Sequence, residues 1–399
     1  MNHINMDKFS ETSLSIRTIV PVKKNQLTLW NLLLWMMKLK TDTIQSKQEM
    51  TMALYEAYGL KAAYGMTAYG DQLVIDAKFQ WIRTDWIEDT DYTSNLIHLI
   101  DQLLFHAYLD ISSLEEAKYF LKNRLLRLKD DPDFSAYEQA LSLVEGNHAV
   151  SFPMHGKIEE IDTVSLEDVK ELYSFYCHMD KSVYVCGVLN DSLKEYLTHV
   201  DCGKPILNVR HLIESQDFHS SVLKKDILQT SLVQVYATHI DVNSSLYIPL
   251  VIFCSLLGQS PKNLLFDSIR EKESLCYSIH SQMVRFDGAL SIHAGIQSDN
   301  VDKVVGLIEK AIHQIITKQY SDSLLDIAKK DWIDECYANQ DRPFAIIERA
   351  FLNDYLDRQL TLEKLIEKIQ LVSKEDVSKV AKRLEMISQS VIEENEYED

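Results

Sequence analysis

The sequence predicts an α+β protein of two homologous halves, each an antiparallel-rich sheet packed with helices. Three observations predict it: segments recur half a chain apart, short β-rich stretches bunch together, and long amphipathic stretches separate the bunches. The recurrence constrains the fold most. Val164-Ser165-Leu166-Glu167-Asp168-Val169 returns 208 residues later as Val372-Ser373-Lys374-Glu375-Asp376-Val377. At the same spacing Leu99-Ile100-Asp101 returns as Leu307-Ile308-Glu309. At a spacing of 210, Phe134, Glu138 and Ala140 return as Phe344, Glu348 and Ala350, each set just after a proline. Three matches in one order mark a duplicated domain, well beyond solenoid periods. The join falls between Asp201 and Ser220, where Cys202-Gly203-Lys204-Pro205 breaks the pattern, and the domains are taken as residues 1–203 and 204–399.

The elements follow in chain order. Leu27 to Met37 (LTLWNLLLWMM) is shorter than the roughly 20 residues a bilayer span needs. Lys23 and Lys24 precede it as in a signal peptide, but no small-residue cleavage site follows, so it reads as a buried helix. Asp71 to Phe79 and Ser182 to Leu189 read as strands, as do Ser231 to Ile240 and Ala289 to Ile296 in the second half. Asn95 to Leu109 and Val301 to Ile316 carry helical spacing. Ser165 and Ser373 stand as helix N-caps, with the carboxylates after them favouring the positive end of the helix dipole.

Composition removes several function classes. Hydrophobic residues are 46% and charged ones 25%, as in ordinary folded proteins. Lys plus Arg number 41 against 60 Asp plus Glu, a formal charge of −19. Such a chain repels phosphate backbones and anionic lipid, and no basic patch offsets this, so neither nucleic acid nor a membrane is expected as a partner. The six cysteines form no C-x-x-C pair, which fits reduced thiols in a cytoplasmic setting.

The most informative stretch runs from Leu256 to Tyr277, LLGQSPKNLLFDSIREKESLCY. If Arg270 ends a helix and Tyr277 begins the next strand, both side chains face one cleft, where a guanidinium holds a peptide carbonyl or carboxylate and a phenol donates to a developing oxyanion. The spacing alone equally allows Arg270 to be a solvated helix residue paired with Glu271 or Glu273 and Tyr277 to be core. The pattern Gly258-x-Ser260-x-x-x-Leu264-x-Phe266-x-x-x-Arg270-Glu271-Lys272-x-x-Leu275-x-Tyr277-Ser278-Ile279 resembles the second-domain signature of the pitrilysin/insulinase family of inverted-motif zinc peptidases. The resemblance implies two homologous α+β domains arranged as a clamshell, with Arg270 and Tyr277 as the substrate-binding pair. Within the family it is similar to short bacterial two-domain members, including non-catalytic subunits encoded beside bacteriocin-maturation functions.

An active member carries H-x-x-E-H, two zinc-ligating histidines and a glutamate that polarises water. The sequence contains none. By its place before Glu49 to Phe79 the motif falls at Asn31-Leu32-Leu33-Leu34-Trp35, so Asn31 and Trp35 replace the histidines and Leu34 the glutamate. Asparagine is a poor zinc ligand, tryptophan offers no lone pair and leucine takes no proton. The further glutamate ligand is also missing from Tyr119 to Asp131 (YFLKNRLLRLKDD), and the space is expected to be packed shut.

The remaining candidates carry less. His211-Leu212-Ile213-Glu214-Ser215 is an inverted motif without its last histidine and lies in the presumed linker, so it reads as accidental. His98 and His106 lie eight apart on one helix, too far to share a metal, and His280 and His293 lie on opposite sides of a strand turn. Cys276 has no assignable Cys-His-Asn constellation and reads as a packed thiol. The resemblance therefore implies a non-catalytic, substrate-binding subunit of a heterodimeric zinc metallopeptidase acting on peptides, including a precursor or bacteriocin-type peptide. The chain itself is expected to hold no metal, with zinc in a homologous zinc-bearing partner subunit. The alternatives are a catalytically dead scaffold and a peptide-sequestering protein of the same fold.

Overall fold

Each half of the chain forms one five-stranded mixed sheet, and the two sheets share a single strand plan. The computed structural model describes residues 1–205 and 212–395. The first sheet takes β1 (Asn2–Ile4), β2 (Glu11–Pro21), β3 (Lys61–Tyr69), β4 (Gln72–Ile82) and β5 (Ser182–Cys186) in the order β1-β5-β2-β4-β3. The second takes β6 (His219–Lys225), β7 (Thr230–Ala237), β8 (Cys276–Val284), β9 (Ala289–Ile296) and β10 (Glu385–Glu394) in the order β6-β10-β7-β9-β8. In both, the first pair is parallel and the rest antiparallel. The expected α+β fold of two homologous halves is what the chain adopts.

In the first half the helices are α1 (Leu27–Met36), α2 (Lys47–Glu56), α3 (Tyr92–Phe105), α4 (Ile111–Asp130), α5 (Pro132–Ser142), α6 (Ile158–Ile161), α7 (Leu166–His178) and α8 (Asp191–Val200). In the second they are α9 (Tyr247–Cys254), α10 (Val301–Ile316), α11 (Asp322–Ala338), α12 (Pro343–Tyr355), α13 (Leu362–Leu371) and α14 (Lys374–Ala381). Among the described residues no helix is long and apolar enough to cross a membrane.

The repeated segments take equivalent places. Pro132 and Pro343 each stand at the start of a helix, α5 and α12, where the missing N–H costs nothing. Ser165 and Ser373 close reciprocal capping boxes with Asp168 and Asp376 at the starts of α7 and α14. Ser165→Ala is expected to lower stability by about 1 kcal/mol, read from the midpoint of urea unfolding.

Several expected boundaries shift, including strands that run Gln72–Ile82 and Thr230–Ala237, and two of the shifts have a local cause or consequence. The strand from Ser182 stops at Cys186 because Gly187 adopts φ 128° and a Cβ there would lie 2.9 Å from the Thr12 backbone. The helix expected over Asn95 to Leu109 runs from Tyr92 to Phe105, which leaves His106 beyond its end.

One face of each sheet packs on helices of its own half. In the first, Leu73 and Ile75 of β4 meet Leu27, Leu33 and Met36 of α1, and Phe79 and Trp81 join the core with Leu96, Ile100 and Leu103 of α3. The other faces are exchanged. Ala136 and Ala140 of α5 pack with Val233 and Val235 of β7 and Ile387 and Ile392 of β10. Reciprocally, Ile346, Ile347 and Phe351 of α12 pack with Val74, Tyr184 and Cys186 of the first sheet. Polar contacts lock both crossings. Ser388 Oγ donates to the Ala140 carbonyl at 2.7 Å. Arg17 of β2 reaches Glu348 of α12 at 2.7 Å and Asp76 of β4 at 3.2 Å, while Tyr69 donates to Glu348 at 2.7 Å.

Candidate functional site

The helix α1 carries Asn31, Leu34 and Trp35 with their side chains already engaged. Asn31 Nδ2 donates to the Leu27 carbonyl at 2.8 Å and to the Met154 carbonyl at 3.0 Å, tying α1 to the loop beside it. Leu34 is buried in the core of the first half. The Trp35 indole stacks on Phe120 of α4, with ring centroids 4.9 Å apart, and Lys38 Nζ sits 3.8 Å from its centroid. Burial lowers the Lys38 pKa.

Phe120 lies in the α4 stretch where a third metal ligand was sought, so a ring stack fills the space between α1 and α4. An amide committed as a donor, an alkyl group and an indole give no set of lone pairs for Zn²⁺, and these residues do not fit it. Among the described residues, no group of three or more His, Cys, Asp and Glu side chains comes together in a way that could hold a metal ion.

The Arg270 and Tyr277 segment is built differently. Gly258 lies in the last turn of a helical run against β8, where an added Cβ would lie 2.7 Å from the Ser281 backbone nitrogen, so only glycine fits. Asn263 Oδ1 accepts from the Phe266 N–H and starts a π-helical turn, Phe266–Glu271. Ile269 in that turn is buried, which turns Arg270 outward. The chain then reverses through Ser274 at φ 55°, held by the Ser274 N–H to the Arg270 carbonyl and the Leu275 N–H to the Ile269 carbonyl, both at 3.1 Å.

On β8 the pairing shifts between Cys276 and Ser278. Tyr277 is therefore the extra residue of a bulge on an edge strand, and it is 66% exposed. Bulges at such places re-aim a side chain. The expectation that Arg270 ends a helical turn and Tyr277 opens a strand agrees with the structure.

Of the competing reading, the exposed helical Arg270 holds, but its carboxylate pairing and a core Tyr277 do not. Glu273 pairs with Lys303 at 2.8 Å and Asp267 with Lys272 at 2.8 Å, while Arg270 is exposed and makes no carboxylate ion pair among the described residues. Its guanidinium lies 4.9 Å from the Phe266 ring centroid. Both side chains thus stand at the β8 edge of the second sheet with polar groups turned to solvent. Burial pushes the neighbouring Cys276 thiol up, with Arg270 offsetting part of that, which removes thiolate character at neutral pH.

The other candidates also find their places. His280 and His293 are cross-strand partners whose rings stack with centroids 4.7 Å apart, a proximity that the reading of a strand turn missed. Burial and then His280 lower the His293 pKa to about 3, so that ring is neutral, and it bonds to Ser291 at 2.8 Å. His106, off the helix, faces Asp42 and Asp101 at the surface. His211 lies outside the described residues, and Glu214 is exposed. The six cysteines are free. Sequence reading missed Asp287, a buried carboxylate in the β8–β9 turn, because nothing in Arg285-Phe286-Asp287-Gly288 distinguishes it from an exposed turn aspartate.

Residues 163–331 match the family described as Peptidase M16 inactive domain. The chain is 21% identical over 395 residues to a Bacillus subtilis protein named "Probable inactive metalloprotease YmfF", covering 96% of this chain and 93% of that one. It superposes with a TM-score of 0.91 on a conserved protein from Enterococcus faecalis V583, at 20% identity and over 100% and 96% of the two chains. The TM-score is 0.81 on a peptidase M16 inactive domain from Pseudomonas fluorescens, at 14% identity and over 100% and 96%. Taken with the duplicated sheets and the 258–279 signature, these matches make residues 163–331 similar to the Peptidase M16 inactive domain and give the whole chain the fold of the M16-like structures.

Proposed function

We propose that this protein is the non-catalytic, substrate-binding subunit of a heterodimeric zinc peptidase. A homologous partner supplies zinc and its water from the equivalent of α1, while this chain supplies Arg270 and Tyr277. The observation that carries the reading is the contrast between the two places. The positions of the zinc motif are filled by a stacked indole, a buried leucine and a donating amide, whereas Arg270 and Tyr277 remain exposed at a sheet edge, the arginine without a carboxylate partner among the described residues.

A guanidinium there aligns the carbonyl of an extended peptide, and a phenol donates to the oxygen that gains charge as the bond is attacked. Neither group supplies a nucleophile or a base. The name of the Bacillus subtilis relative, "Probable inactive metalloprotease YmfF", supports the non-catalytic part of this reading. A precursor or bacteriocin-type peptide is a substrate of the right kind.

The test is reconstitution. Purified alone, the chain is expected to hold less than stoichiometric zinc by metal analysis and to leave peptides intact. Mixed with a zinc-bearing homologue from the same cell, it is expected to give chelator-sensitive cleavage. Chelator-sensitive activity from the single chain would overturn the proposal, as would a zinc-bearing homologue whose activity is unchanged by adding this chain.

A further inference from the structure

A cavity of about 280 Å³ opens between the two halves. Its walls are the β3 edge at Met66 and Ala68, Tyr137 and Leu141 of α5, Phe152, and Val284 at the end of β8. That volume lies just under the roughly 300–1,000 Å³ of sites for whole small ligands, and suits a single side chain. Glu138 and Asp287 also line it, and among the described residues neither lysine nor arginine does.

Asp287 is 3% exposed, and its Oδ1 has no hydrogen-bond partner among the described residues. A carboxylate oxygen buried without a donor is expensive and calls for one. Among the described residues, the groups around it do not provide a cation. The Val150 N–H reaches the carboxylate, while Asp71 from the β3–β4 turn adds repulsion. Tyr137 has its phenol pushed up to about 12 by burial and by Asp287 itself. Arg285, two residues away, acts on Tyr247 and Arg358 instead.

Across the cavity, burial and then Arg124 lower the His155 pKa, which keeps that ring neutral. Burial raises the Glu138 pKa, with Lys129 and Lys225 outside the wall opposing it.

We propose that this cavity binds an alkylammonium group, with the cation on Asp287 and the carbon stem along the apolar wall. The cavity is complete within this chain, so the proposal stands or falls without the partner subunit. A lysine side chain of a peptide and a small free amine share this chemistry, and the experiment separates them.

Calorimetry on the full chain at about pH 8 uses three probes: the capped pentapeptide Ala-Ala-Lys-Ala-Ala, the same peptide with norleucine for lysine, and n-pentylammonium. The expected result is binding of the lysine peptide at least tenfold tighter than the norleucine peptide, since a charge-assisted bond replaces an unmet acceptor. Competition between the lysine peptide and n-pentylammonium assigns a peptide source, and binding of n-pentylammonium alone assigns a small amine. Burial and Asp71 push the Asp287 carboxyl up to about 7, so the cation preference is expected to fade at about pH 5.5. It is expected to vanish in Asp287→Asn, whose fold is checked by circular dichroism. Absence of cation preference in every probe, or a preference that survives both Asp287→Asn and low pH, overturns the proposal.

Discussion

In the proposed pair with a zinc-bearing homologue, Arg270→Ala is expected to lower turnover by about 10²–10³-fold, the range measured when a single oxyanion-hole donor is removed from a peptidase. The reasoning rests on exposure. Arg270 and Tyr277 touch little of the core, and Arg270 has no ion-pair partner among the described residues, so its side chain contributes little to folding. Surface substitutions of this kind stay within about 0.5 kcal/mol of the parent. Any large kinetic loss would therefore report on substrate and not on a damaged scaffold.

Tyr277→Phe removes only the hydroxyl and should cost a similar factor in kcat if that hydroxyl donates in the transition state. Arg270→Lys keeps the charge without the planar fork and should recover only part of the loss. Steady-state kinetics on one peptide, with assembly followed by light scattering, separate kcat from KM. Unchanged kcat and KM in both variants would mean that the pair does not grip substrate.

Arg17→Ala is expected to cost about 3–5 kcal/mol, the loss seen when one partner of a buried ion pair is removed. Arg17 is 4% exposed and stands between Asp76 and Glu348. Its Nε donates to Ser15 Oγ at 3.0 Å, that hydroxyl donates to Asp76 at 2.6 Å, and the guanidinium lies 4.1 Å from the Phe351 ring centroid. Without the arginine, two carboxylates remain in a protected seam with Lys78, 3.6 Å from Asp76, as the nearby cation among the described residues. Glu348→Gln should cost less, because it keeps hydrogen-bonding capacity and leaves the Arg17–Asp76 pair. Urea unfolding checks both, and a loss below about 1 kcal/mol for Arg17→Ala would show that solvent relaxes the site.

The duplication was legible because capping chemistry is local. Ser165 with Asp168 and Ser373 with Asp376 write the same helix start twice, and Pro132 and Pro343 do so again. Ala289 to Ile296 was legible as a strand through its β-rich composition, and Val301 to Ile316 as a helix through its spacing. The edge strands were not. In β3, Lys61–Tyr69, outward Ala63, Gly65 and Thr67 alternate with Ala62, Tyr64 and Met66, which leaves little contrast in polarity.

The helix exchange was also illegible. The apolar faces of α5 and α12 are alike by descent, and a face records that it is covered without recording which sheet covers it. The Arg270 and Tyr277 pair could be located from its signature, but the bulge that turns Tyr277 outward depends on pairing with β9. Asp287 depends on a loop, Val150, contributed from far along the chain.

The exchange of α5 and α12 bears on how the chain is made. When residue 186 leaves the ribosome, every strand of the first sheet exists, yet Val74, Tyr184 and Cys186 lack their cover until Tyr355 has followed. At about 5–20 residues per second the exposed interval lasts on the order of ten seconds or more. Throughout it the nascent chain presents an apolar sheet face, open to chaperones and to other nascent chains alike. The ancestral unit is half a polypeptide, but the smallest piece that can bury its own surfaces is nearly the whole of it.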